Sequence, residues 1–256
     1  MENISVVIIT SNEEKNIGRC IDSVKKIADE IIVLDSFSED KTVEIARQKG
    51  AIVEQQEFRG YIEQKNLALE IASHPYVLSL DADEMPDEIL VNSILEEKSH
   101  FLHKAYRMNR CTNYCGRYIR HGVWYPDTKL RLFDKRIARW GGINPHDKVE
   151  LNASYPVKHL KGDILHFSYS SIEEHIAQNN KLSSIAAYSL LQGAKRTSPV
   201  NFLINPLWSF FLGYFLRLGL LDGLYGFVIA VNVAHFTFLK HVKLYQLQQA
   251  ALQKQT

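Results

Sequence analysis

ISVVIIT at 4–10, IGRCIDSVKKIA at 17–28 and EIIVLDS at 30–36 decide the fold. The first and last are short β-branched runs, and the middle one carries apolar residues at helical spacing after the polar loop TSNEEKN. They read as strand, loop, helix, strand. The unit repeats outward with KTVEIARQKG (41–50), AIVEQQ (51–56), IEQKNLALEIAS (62–73) and YVLSLDADE (76–84). Alternating strands and helices imply an α/β protein with a mostly parallel sheet flanked by helices, in which ligands gather at the carboxyl ends of the strands.

Beyond residue 100 the pattern changes. FLHKAYRMNR, KLRLFD and KHLKGDILHFSY are aromatic and β-branched runs separated by Gly, Pro, Asn and Asp, which suggests mixed sheet covering the mouth of the first half. SSIEEHIAQNNKLSSIAAYSLLQG (170–193) reads as a helix with a serine N-cap and Glu173 and Glu174 in its first turn. From Asn201 onward the chain is mostly apolar and aromatic. Asn205 is placed to cap a helix with Pro206 at its first position, followed by a narrow stripe of Ser209, Gly213 and Arg217 on an otherwise greasy surface. Gly223 to Leu239 is uncharged and at the short limit for spanning a bilayer. The expected division is a catalytic domain over 1–195 and an apolar or amphipathic helical tail over 196–256. That tail either associates with a membrane or buries itself in a homodimer interface.

Composition narrows the function. The 256 residues, 46% hydrophobic, suffice for one large core with an appendage. A net charge of +1 offers no excess field for a polyanion, so nucleic acid is not an expected partner. Cys20, Cys111 and Cys115 form neither a paired framework nor a zinc pattern, which fits a reducing cytoplasm. The opening residues lack the longer apolar region of a secretory signal.

The chemistry centres on Asp81-Ala82-Asp83, at the end of the apolar run YVLSL. Two carboxylates two residues apart at a strand end reach into one crevice, and oxygen ligands suit Mg²⁺ or Mn²⁺ bound together with a diphosphate. Alone, the pair also fits a solvated turn before the helix near Pro86. Thr10, Asn12 and Glu13 after the first strand, Asp35 at the end of the second, and Lys65 with Asn66 early in a helix make several strand ends converge.

SVVIITSNEEKNIGRCIDSV, EIIVLDSFSEDKTVEIA, QKNLALEIA and VLSLDADE together resemble, in order and spacing, the N-terminal half of glycosyltransferase family 2. These are inverting enzymes with the nucleotide-diphospho-sugar-binding GT-A fold. GYIEQKN and the overall layout are similar to lipopolysaccharide core glycosyltransferases of the WaaE type. The resemblance implies a hexosyltransferase taking a sugar from a nucleotide donor, glucose from a UDP-sugar by analogy. The acceptor would be a saccharide or lipid-linked glycan of the cell envelope, met on the inner face of the cytoplasmic membrane. It implies that Thr10, Asn12 and Glu13 line the nucleoside pocket and that Asp35 accepts a hydrogen bond from the uracil. Lys65 stands in place of a frequent arginine and keeps the attraction for phosphate but not the bidentate fork. Asp81 would contact ribose or a metal-bound water, Asp83 would hold Mn²⁺ or Mg²⁺, and His166 would complete the metal's coordination.

Inversion needs a carboxylate opposite the leaving group to take the acceptor's proton. WGGINPHDKVE (140–150) resembles the family's glycine-containing loop, with His146-Asp147 where His-Glu often stands, which makes Asp147 the expected base and Asp127 its rival. Arg131 meets either phosphate, acceptor or solvent. Trp124, Trp140 and Trp208 are packing residues, with sugar stacking an alternative for the first two. A sugar nucleotidylyltransferase would open with a glycine-rich loop, which TSNEEKN is not. A catalytically silent membrane scaffold of the same fold is the remaining alternative.

Overall fold

The computed structural model describes residues 2–143 and 146–253. Asn144 and Pro145 of the glycine-containing loop lie outside the described residues, as does the side chain of His146. The elements β1 Ile4–Thr10, α1 Ile17–Val24, β2 Glu30–Asp35, α2 Thr42–Gln48, β3 Ile52–Gln55, α3 Tyr61–Ile71 and β4 Tyr76–Asp81 give the alternation its physical form. β1 pairs in parallel with both β2 and β4, and β2 pairs in parallel with β3. Because both faces of this sheet are covered, β1 is apolar throughout: Ile4, Val6 and Ile8 pack with Ile17, Cys20, Ile21 and Val24 of α1, whereas Val7 packs with Ala68 and Leu69 of α3.

The sheet continues with β5 Glu84–Pro86, β6 Ala105–Tyr114, β7 Arg117–Tyr118, β8 Asp127–Asp134 and β11 Val157–Tyr169, in the order β3-β2-β1-β4-β8-β6-β11-β5, with β7 beside β6. β8 is antiparallel to β4 and β6, and β5 is antiparallel to β11, so the second half is mixed as the sequence suggests. β9 Ala138–Ile143 and β10 His146–Leu151 form a separate antiparallel pair. α4 Glu88–Ser99 follows β5, and its first turn is closed by Asp87, whose carboxylate accepts from the Leu90 N–H at 2.7 Å. Gly162 in β11 sits at φ +90° against this cap, where an added Cβ would lie 2.2 Å from the Leu90 nitrogen.

The contacts divide the chain into two compact units, Met1–Cys111 with Asp127–Phe167, and Thr112–Pro126 with Ser168–Thr256. The second contains α5 Ile172–Gln192, α6 Asn201–Phe211 and α7 Gly223–Gln253, with a π-helical turn at Leu212–Leu216 and a 3₁₀ turn at Gly219–Asp222. Ser171 caps α5 by accepting from the Glu174 N–H at 3.2 Å. The sequence boundary at 195/196 places α5 with the catalytic part, yet its buried face joins the C-terminal helices. Asn179 donates to the Asn232 carbonyl at 3.1 Å, and Lys243 Nζ donates to the Asn180 carbonyl, Ser183 and Ser184 at 2.6, 2.7 and 2.9 Å. Tyr114, Trp124, Tyr169, Tyr225 and His175 form an aromatic cluster in the same unit. Trp124 is therefore a packing residue.

Two expectations for the tail are corrected. α6 begins at Asn201 rather than after Asn205, and Pro206 lies inside it. Asn205 does not cap; its amide meets His241 Nε2 at 2.8 Å. Of the expected stripe, Ser209 and Gly213 turn inward, whereas Arg217 is exposed. Ser209 meets Thr237 at 3.2 Å, and a Cβ on Gly219 would lie 2.7 Å from the Gly213 carbonyl. These residues face the hairpin's own interior, and Leu203, Ile204, Leu207, Trp208 and Phe211 are exposed. The charge of Lys243 is occupied by α5, leaving Lys240 as the cation of the expected basic flank.

Candidate active site

The first unit carries two cavities at the carboxyl ends of its parallel strands, and Asp81 lines both. The first, about 490 Å³, is walled by Thr10, Ser11 and Glu13 after β1, Ser36 after β2, Phe58, Tyr61 and Gln64 around the start of α3, and Asp81, Asp83 and His166. The backbone explains the convergence. β1, β2 and β4 run in parallel and end side by side, while β11 pairs His166 opposite Glu84 and the Phe167 N–H bonds the Asp83 carbonyl at 2.9 Å. His166 Nε2 consequently stands 3.0 Å from an Asp83 oxygen. The Thr10 hydroxyl is buried with no partner among the described residues, an acceptor and donor left for a ligand. Burial pushes the Glu13 carboxyl up, partly offset by a hydrogen bond from Asn16.

Two residues expected in the nucleoside pocket do not line it. Asn12, at φ +55°, accepts from the Glu39 N–H at 2.8 Å and donates its own N–H to the Ser38 hydroxyl at 2.8 Å, so it ties the first loop to the one after β2. The carboxylate of Asp35 is wholly buried and accepts from the Ser38 N–H at 2.9 Å and from Gln55 at 3.0 Å. Sequence reading passed over Phe58, Tyr61 and Gln64. Phe58 and Tyr61 are exposed aromatic rings in edge contact at 5.1 Å, and an exposed aromatic pair just ahead of a helix is the signal that marks them.

The second cavity, about 420 Å³, is lined by Lys65, Asp81, Arg110, Lys129, Arg131 and Asp147 among others. Asp147 is carried here by the β9–β10 hairpin, which is fastened to α3 where Asn66 both donates to the Trp140 carbonyl and accepts its N–H, each at 2.9 Å. Lys65 is 3% exposed, and its Nζ lies 3.0 Å from Asp81 and 2.8 Å from Asp147. It lines this second cavity rather than the first. Arg131, equally buried, reaches Asp81 at 3.2 Å and Glu84 at 2.9 Å through one nitrogen. Arg110 joins Glu84 at 3.2 Å to Asp127 at 2.8 Å. Burial pushes the Asp81 carboxyl up, but the charges of Arg131 and Lys65 outweigh it and hold the group well below the usual carboxylate range. The same balance keeps Asp127 low, through Arg110 and Lys129. Trp140 is buried under Lys65 and Arg131, 4.3 and 5.2 Å from its ring centre, so it carries cations and has no open face for a sugar.

Among the described residues no three His, Cys, Asp or Glu side chains converge as a self-sufficient metal cage. Asp83 and His166 provide an oxygen and an imidazole nitrogen on one wall. That donor set suits a hard or borderline divalent cation.

A sheet with ligand groups at the adjoining ends of its parallel strands and paired acidic residues in the crevice is the arrangement of an α/β ligand-binding enzyme. The chain matches the model for glycosyl transferase family 2 over residues 5–162 and belongs to that family, with its GT-A fold. It is 34% identical to an uncharacterised glycosyltransferase of Rickettsia bellii, over 96% of this chain and 87% of that protein. It is 30% identical to the lipopolysaccharide core biosynthesis glycosyltransferase LpsC of Rhizobium meliloti, over 95% and 92%. A glucosyl-3-phosphoglycerate synthase of Mycobacterium tuberculosis, solved with Mn²⁺, UDP and glucosyl-3-phosphoglycerate, is similar over 42% of this chain and 43% of its own. Its identity of 28% and TM-score of 0.37 are too slight to carry a ligand across.

Proposed function

We propose that this glycosyltransferase moves a hexose, with inversion, from a UDP-sugar to a saccharide or lipid-linked acceptor of cell-envelope glycan synthesis. The observation that carries the proposal is the pair of cavities meeting at Asp81, one with Asp83 and His166, the other with Asp147. The first cavity takes the donor. Phe58 and Tyr61 offer apolar faces for the nucleoside, and the Thr10 hydroxyl a hydrogen bond. Asp83 and His166 would hold Mn²⁺ or Mg²⁺ between themselves and the diphosphate. Such an ion, when bound, neutralises the charge that develops on the departing diphosphate.

The acceptor enters from the second cavity. Its hydroxyl oxygen bonds to the anomeric carbon as the bond from that carbon to the phosphate oxygen breaks, and the electron pair leaves with UDP. Asp147 takes the hydroxyl proton. Lys65, between Asp81 and Asp147, holds both carboxylates in place, a positioning role that a base needs before the acceptor arrives. Similarity to a lipopolysaccharide core enzyme supports an envelope acceptor.

The test is thermal unfolding with UDP-sugars and Mn²⁺. Donor and metal together should raise the midpoint beyond either alone, as ligands that bind only the folded state do. Asp83→Ala should abolish transfer and the added effect of Mn²⁺ on nucleotide binding. Wild-type turnover of this variant under chelation would sink the metal reading.

The C-terminal hairpin supports a second part of the proposal, attachment to the cytoplasmic face of the inner membrane. α6 and α7 meet through Asn205, Ser209, Thr237 and His241 and turn Leu, Ile, Phe and Trp outward. Small and polar residues inside with apolar residues outside is the arrangement of helices packed in lipid. α7 is long and apolar enough to cross a bilayer. However, α5 lies along it with Glu173, Glu174, Gln178 and Lys181 exposed. Drawing those charges into hydrocarbon is costly, which favours a hairpin lying in one leaflet over a spanning helix.

A further inference from the structure

We propose that the second cavity selects an acidic acceptor, a saccharide bearing one carboxylate or phosphate, with Arg110, Lys129 and Lys148 receiving the acid group. The inference rests on the glycosyl-transfer reading and adds the chemical class of the acceptor. Its basis is the distribution of charge. Five cations line the cavity, Lys65, Arg110, Lys129, Arg131 and Lys148, against two carboxylates, Asp81 and Asp147. The carboxylates that balance the remaining cations, Glu84, Asp127 and Glu150, are not on the lining. Glu84 is wholly buried behind the two guanidinium groups. The network as a whole is close to neutral, but a ligand entering the cavity meets the cations first.

The cations are not equivalent. Lys65 is committed to Asp81 and Asp147, the edge nearest the donor cavity. Arg131 is 3% exposed and uses a single nitrogen for Asp81 and Glu84. Its Nε and Nη1 are buried without hydrogen-bond partners among the described residues, two donors left for a ligand. Arg110, Lys129 and Lys148 are further from that edge in chemistry, since none of them is paired to Asp81 or Asp147. Lys129 and Lys148 keep side chains 37% and 68% exposed. A hydroxyl placed at Asp147 therefore leaves the far part of the acceptor beside partly solvated cations, where a carboxylate or phosphate forms charge-assisted hydrogen bonds without displacing Lys65 from the base.

The experiment uses the full chain and four probes: methyl glucoside, methyl glucuronoside, methyl glucoside 6-phosphate and inorganic phosphate. Each is titrated calorimetrically, with and without saturating UDP and Mn²⁺. The two acidic glycosides should bind about tenfold or more tightly than the neutral one, the gain expected of one hydrogen-bonded charge, and the preference should shrink as ionic strength rises. Lys129→Glu should erase it. Arg110→Gln should do the same where it folds, and the exposed position of Lys129 keeps the test available if it does not. Equal or undetectable binding of the three glycosides overturns the inference, as does a preference that survives Lys129→Glu. Inorganic phosphate binding as tightly as the sugar phosphate overturns the claim for a saccharide. A failure of UDP and Mn²⁺ to bind would count against the donor reading alone, because the acceptor probes are also measured without them.

Discussion

Lys65 joins two carboxylates that lie 16 and 82 residues away in the chain. A buried ammonium needs partners for its charge, and each of the two acids is in turn held in one position by it. This bears on the choice of base. Asp147 is the carboxylate on the lining of the second cavity, whereas Asp127 is tied to Arg110 and Lys129 and does not line it. Asp147→Asn should preserve shape and donor binding and lower kcat by about a hundredfold or more, the usual loss when a general base is removed. Asp127→Asn should change kcat far less. Single-turnover rates at saturating donor separate the two, and the opposite ranking would transfer the role to Asp127. The motif in WGGINPHDKVE pointed to Asp147, which lies on the second cavity. Its partner was not legible in the sequence, because nothing local in IEQKN says that the Lys65 ammonium turns away from the donor crevice.

At the level of elements, β11 and α4 meet where Gly162 adopts φ +90° beside the Asp87 cap. A side chain there would both strain the backbone and collide with the first turn of α4. Gly162→Ala should therefore cost about 2–4 kcal/mol, read from urea unfolding, combining left-handed strain with overpacking. α5 gives a pH prediction. His175 is wholly enclosed by aromatic rings with Tyr114 Oη 3.0 Å from its Nδ1, and burial pushes its pKa from the ordinary 6.5 down to about 4. The unfolded chain takes up this proton below 6.5 and the folded chain only near 4, so its contribution is complete above 6.5 and is lost as pH falls across that window. Melting temperatures of wild type should fall more steeply from 6.5 to 4 than those of His175→Phe. Parallel slopes would show that another group governs acid lability. The α5 helix itself was readable from its cap and periodicity, but its association with α7 was not, since the residues that join them are the polar Asn179, Ser183 and Lys243 rather than an apolar stripe.

For the molecule as a whole, the outward apolar face of the hairpin must be covered. Leu203, Leu207, Trp208, Leu221 and Leu224 are each more than half exposed, a patch larger than a soluble monomer usually leaves in water. A membrane surface confines encounter with a lipid-linked acceptor and raises its effective concentration without adding a contact at the site. The full-length protein should float with liposomes, and Leu207→Glu combined with Leu224→Glu should release it while UDP still stabilises the fold. A soluble dimer that ignores liposomes would assign the same face to a second copy of the chain.

The repeating strand and helix units, the Asp pair at a strand end and the serine cap of α5 were determined by the sequence itself, because each is written in a few consecutive residues whose periodicity or capping chemistry is local. Three matters were decided only in the tertiary structure. Lys65 and Arg131 became a charge network between two cavities, since their partners come from strands remote in the chain. Asn12 and Asp35 were drawn into loop bonds, because the loops after β1 and β2 end side by side. The polar residues Asn205 and Ser209 of α6 turned toward α7. Helical periodicity establishes that a helix has two unlike faces, but which face meets protein and which meets solvent or lipid depends on the neighbour that packs against it, and here that neighbour is α7, beginning only after the hairpin turn.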